Sequence, residues 1–186
     1  MILQLQHDGG PRCRTDLGTD LGLDDLYLRI AHDCARRRAP PRLSGTELRR
    51  YEQGYQFRML VEPAALLEPG YRIDRPAFRR VRTQQRAVLE SRWPISRAAI
   101  FEAGVAFHTT ITGGAGNAFI TNALARVNEL RRLVESRVKV NRAEVAQHCE
   151  QHLQLLDLIE AGELTAAADF LRQHLESARK AAMELS

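Results

Sequence analysis

Residues 96–117, SRAAIFEAGVAFHTTITGGAGN, read as one amphipathic helix with a start, an inner face and an end. Ser96 is an N-cap residue, its hydroxyl suited to accept from a free N–H of the first turn. Ile100, Phe101, Val105, Phe107, His108 and Ile111 share the inner face, and Gly113-Gly114 breaks the run. His108 is therefore expected to face a core rather than water, where an imidazole needs a polar partner.

The pattern recurs twice downstream. In 141–162, NRAEVAQHCEQHLQLLDLIEAG, Asn141 caps a helix that keeps Val145, Cys149, His152, Leu156 and Ile159 in register, and Gly162 closes it. Beyond it, Ala167, Leu171, His174, Leu175 and Ala178 fall on one face of a last helix. A single inward histidine is ordinarily a satisfied core residue. Three of them, His108, His152 and His174, each central in its own amphipathic helix, read most economically as one metal site. Neutral imidazoles on rigid helices suit Zn(II), Ni(II), Fe(II), Mn(II) or Cu(II), and the sequence does not choose among them. Three protein ligands leave positions for water or a substrate oxygen.

The remaining chain is helical too. Residues 1–22 are Gly- and Asp-rich and without period. A helix is expected from Asp24 to the Arg36–Arg38 run, and the capping box Ser44 with Glu47 opens a second short helix toward Tyr51. Next comes a helix with Phe57, Leu60, Val61, Ala64 and Leu67 on one side, ending at Pro69-Gly70. Another starts at Asp74 and Pro76 and carries Phe78, Val81, Gln85, Val88 and Leu89; after Gly116-Asn117 a long one carries Ile120, Leu124, Val127, Leu130, Val134 and Val138. No convincing period-2 alternation appears, so the fold class is all-α, an antiparallel bundle over 52–186 with a short helical appendage over 1–51.

Composition narrows the function classes. The 186 residues hold one helical domain but not two large ones. No run reaches the roughly 18 apolar residues of a membrane span, and MILQLQHDGG turns polar at once, so a cytoplasmic protein is expected. Cys13, Cys34 and Cys149 have neither disulfide nor zinc-knuckle spacing. The net charge of +4 is carried almost wholly by arginine. There is no phosphate loop, GxSxG elbow, HExxH helix or Cys/His nucleophile pair.

Phe107-His108-x-x-Ile111 followed by Ala115-Gly116-Asn117, then Gln151-His152-x-x-Leu155-Leu156-Asp157-Leu158-Ile159-x-x-Gly162-Glu163, then Arg172-x-His174-Leu175, resembles the FCD ligand-binding domain of GntR-type bacterial transcription regulators, the FadR-like branch. Tyr55–Ala65 resembles that domain's opening helix, including its arginine, and the likeness covers about residues 50–183. The resemblance implies six or seven antiparallel helices, a homodimer, and a central cavity that binds a small carboxylate or related metabolite. It also implies a divalent metal held by three histidines and an acidic residue.

Two departures stand out. The family's acidic ligand falls one turn before the first histidine, where this chain has Gly104, so the metal is expected to have three protein ligands, to bind more weakly, or to be absent. A mid-helix glycine costs about 1 kcal/mol relative to alanine and hints at a need for space or close approach. Glu102 stands six residues from His108 on another side of the helix. The family also carries an N-terminal winged helix-turn-helix, of which Tyr27–Arg38 and Ser44–Tyr51 resemble only the first helices. Sequence-specific operator binding by this chain alone is not expected.

Around the cavity, Arg58 and Arg131 border apolar stripes and are candidate carboxylate clamps, against the alternative of stems lying along apolar surface. Asn117 is a candidate ligand contact, with N-capping as the plainer role, and His148 and Cys149 are candidate substitutes for the missing ligand. The leading expectation is a ligand-sensing domain. The alternatives are a metal-dependent hydrolase, isomerase, cyclase or oxidase on the same fold, and a subunit that pairs with a full-length regulator.

Overall fold

The computed structural model describes residues 44–137 and 140–184. Six helices run through them: α1 Gly45–Leu66, α2 Arg75–Glu90, α3 Arg97–Gly113, α4 Ala118–Glu135, α5 Arg142–Glu160 and α6 Leu164–Glu184, with no strand among the described residues. All six helices belong to one compact unit. The helix expected over Asp24–Arg38 lies outside the described residues. No helix among the described residues is long and apolar enough to cross a membrane.

Local chemistry sets the ends. Ser44, Asp74, Ser96, Asn117 and Asn141 each accept from a first-turn N–H through the side chain, and Ser44 with Glu47 completes a capping box. At the end of α5, Gly162 sits at φ +80° while Glu163 N–H donates to Leu158 O and Gly162 N–H to Ile159 O, a Schellman closure that turns the chain back into α6. Gly114, just past α3, lies so close to Tyr71 that a Cβ there would stand 2.5 Å from the ring. The Tyr71 hydroxyl donates to Ile111 O and Arg72 N–H to Gly114 O, stitching the α1–α2 connection onto the end of α3.

The helices close a ring in the order α1, α6, α5, α2, α3, α4, each packing on its two neighbours, with α1 also touching α3. One end of the interior is a dry core in which Phe107, Ile111, Leu155, Ile159, Leu171 and Leu175 have no exposed surface. The other end holds a cavity.

The structure corrects the reading of α1 in two respects. The expected short helix ending at Tyr51 and the longer one after it are a single helix, because Gly54 alone is too weak a breaker and lets α1 come within contact of Val127. The buried face is also a different one. Leu60 is 75% exposed, whereas Tyr51, Tyr55, Arg58, Glu62, Ala65 and Leu66 point inward. These recur at the helical period, but two of them are charged, so a search for apolar periodicity selects the wrong side.

Truncating Leu171 to Ala should therefore cost about 2–5 kcal/mol of stability in urea denaturation. Leu60→Ala should change it by less than about 0.5 kcal/mol. Equal costs would show that the inward face of α1 has been misassigned.

Candidate metal site

His108 on α3, His152 on α5 and His174 on α6 meet at the boundary between core and cavity, with one ring nitrogen from each lying within 4.8 Å of the others. All three are buried. Each ring is fixed by an oxygen at Nδ1. His108 Nδ1 stands 2.7 Å from Glu62 Oε2, His152 Nδ1 stands 3.0 Å from Gln85 Oε1, and His174 Nδ1 stands 2.7 Å from Gln151 Oε1. The Gln85 amide is itself oriented, since its Nε2 donates to Ala103 O at 2.9 Å. Only an oxygen is left for the imidazole.

A ring that donates through Nδ1–H presents an unprotonated Nε2. His152 Nε2 and His174 Nε2 face one another at 3.1 Å, two lone pairs directed at the same point. Burial, together with the neighbouring histidines and Arg58, holds all three imidazoles well below their ordinary pKa, so neither nitrogen gains a proton at neutral pH to relieve the contact. Two imidazole nitrogens on one ion at about 2.0–2.1 Å stand about 3 Å apart. The donor set, the spacing and the oxygen behind each ring fit a divalent transition metal. Phe107 stacks on His152 with centroids 3.9 Å apart and presses that ring into place.

Glu62 has no exposed surface and accepts on both oxygens, Oε1 from Arg58 Nε at 2.5 Å and Oε2 from His108. Arg58 Nη2 is buried and has no partner. Arg131 bonds Glu135 through Nε and Nη2 and Asn128 through Nη1. Both guanidiniums lie over the Tyr55 ring, at 5.1 Å and 5.5 Å from its centroid.

The cavity above the histidines has a volume of about 320 Å³. Among its lining residues are Tyr55, Arg58, Gln85, Gly104, Arg131 and the three histidines. A Cβ on Gly104 would meet nothing within 4 Å, so the glycine marks open space rather than a close approach of two backbones. His148 also lines the cavity, its ring edge-on to His174 at 5.4 Å, but it is not one of the converging donors. Cys149 lines it as well, with burial pushing its thiol up to about 11.

Asn117 is a correction: it is exposed, its Oδ1 accepts from Phe119 N–H and Ile120 N–H, and it lies outside the cavity. Glu102 pairs with Arg132 at the surface, in keeping with its place on another side of α3.

The sequence reading missed Glu62 and Gln151 and saw Gln85 only as one position of a stripe. A usable signal existed for Glu62. It stands four residues after Arg58, so any helix that turns the arginine inward turns the carboxylate with it. Gln85, an amide among Phe78, Val81 and Val88, needed a buried partner on the same ground that singled out the histidines.

No curated protein and no solved structure matches the chain. The FCD domain family matches over residues 53–177, a span that includes all three histidines, Arg58, Glu62, Gln85 and both glutamine-fixed rings. On that match, over most of its length, the chain belongs to the FCD domain family.

Proposed function

We propose that the protein is a ligand-sensing domain of the GntR regulator type, in which His108, His152 and His174 hold one divalent metal ion and Arg58 helps to grip a small carboxylate beside it. The observation that carries this reading is the convergence of three buried imidazoles, one ring nitrogen of each within 4.8 Å of the others, with an oxygen at Nδ1 of every ring. The ion supplies Lewis acidity toward a ligand oxygen. Arg58 Nη2, a buried donor without a partner, is available to a carboxylate, and Arg131, paired with Glu135, also lines the cavity beside Tyr55. Because six helices contribute to the ring, a ligand that draws Arg58 toward the histidines shifts α1 against α3, α5 and α6, which is how binding becomes a change in helix packing. In this reading the six-helix bundle senses the ligand, with Tyr51 of α1 among the cavity-lining residues, and the protein works as a homodimer.

Titrating metal-free protein with Zn(II), Ni(II), Mn(II), Fe(II) and Cu(II) should raise the melting temperature for at least one ion. At a hundredfold excess over Kd the stabilisation is about 2.7 kcal/mol, or roughly 5–10 °C for a domain of this size. His152→Ala should abolish the rise, and no rise with any of the five ions would refute the metal site.

Gln85→Leu keeps the volume but leaves His152 Nδ1 without its oxygen. Metal affinity should fall about 10- to 100-fold by competition with a chelator while the helical circular dichroism is retained. Unchanged affinity would mean that the amide does not orient the ring.

The metal-free protein should also lose stability as pH falls. The folded imidazoles titrate well below 6.5 and the unfolded ones near 6.5, so below that pH the unfolded chain binds more protons. The melting temperature should drop between pH 7.5 and pH 5.5; a flat or rising profile would contradict neutral, buried rings.

A further inference from the structure

Every buried charge around the cavity is matched by a neighbour. Arg58 is bonded to Glu62, and Arg131 to Glu135. The three imidazoles are neutral ligands, and the position one turn before His108, where a side chain would point into the cavity, is Gly104, with nothing within 4 Å of a Cβ built there. A divalent ion held by this set keeps both of its charges uncompensated by its protein ligands. Among three buried imidazoles such a charge is more costly than in water and is best neutralised by what binds there.

We infer that the cavity selects a small ligand carrying two negative charges, with one anionic group filling the open position beside Gly104 and the second meeting the unpartnered Nη2 of Arg58. The inference rests on the metal reading above and adds the charge class of the ligand. Arg58, Gly104 and the three histidines line the same cavity, and Arg58 and His108 share the Glu62 carboxylate. A cavity of about 320 Å³ favours a small ligand that reaches both the open position and the arginine. Short dicarboxylates fit; a monocarboxylate of equal length leaves one charge of the ion, or the arginine donor, unanswered.

The test compares Kd values for the full chain loaded with Zn(II), or with whichever of the five ions binds, using malonate and succinate against propionate and butyrate. Metal binding is measured first and separately. The dianions should bind at least about tenfold tighter than the monoanions of matching length. Gly104→Asp supplies a protein carboxylate at the open position: metal affinity should rise, and the preference for dianions should shrink about tenfold or more. Gly104→Ala fills the space without charge and should leave the preference in place.

Equal binding of mono- and dianions by the wild-type protein overturns the inference while leaving the metal site standing, and needs no variant to fold. A dianion preference that Gly104→Asp leaves unchanged overturns the role of the open position. Failure of every ion to bind the wild-type protein overturns both readings together.

Discussion

Glu62 is the constraint from which the site follows. A carboxylate with no exposed surface survives inside a protein only with its charge and lone pairs answered, and here Arg58 and His108 answer them. Removing Arg58 strands a buried charge, a change of about 3–5 kcal/mol in comparable cases. The same carboxylate joins α1 to α3 and fixes which nitrogen of His108 carries the proton. Gln85 and Gln151 perform the second task for the other two rings with neutral oxygens, so the site accumulates no further negative charge.

The histidines also mark a boundary inside the ring. Along α5 the chain passes from cavity-lining Val145 and Cys149 through His152 to the fully buried Leu155, Leu156 and Ile159. Along α6, running the opposite way, Ala167 and Leu171 belong to the core, His174 lies at the boundary, and Ala178 lines the cavity. α3 repeats the division, with Gly104 on one side of His108 and Ile111 on the other. The apolar half supplies the burial that holds the helices together, and its rigidity keeps the three rings from drifting apart. Position along each helix thus decides whether a residue packs the core or lines the cavity.

This boundary explains how much of the molecule was legible in the chain. The histidines stood out because α3, α5 and α6 surround them with leucine, isoleucine and phenylalanine, so a polar residue on an apolar stripe was visible as an exception. α1 and α4 were harder. Their inner faces carry Arg58 and Glu62, and Asn128 and Arg131: the arginines read only as residues at the border of an apolar stripe, and Glu62 and Asn128 carried no apolar signal at all. Leu60 and Leu67, exposed in the fold, drew the inferred stripe of α1 to the wrong side. Asn117 illustrates the opposite error, a polar residue beside a motif whose side chain is consumed by its own backbone. Gly104 stood out within its helix, but only the folded structure distinguishes empty space from tight packing at a glycine.

Cys149 has a consequence of its own. It is the sulfur nearest the imidazoles along α5, and an ionised sulfur there would be both a competing soft ligand and a target for peroxide and alkylating agents. Burial keeps it as the neutral thiol, with its pKa at about 11. At neutral pH the sulfur on the cavity wall is therefore a weak nucleophile and a poor competitor for the neighbouring ring nitrogens.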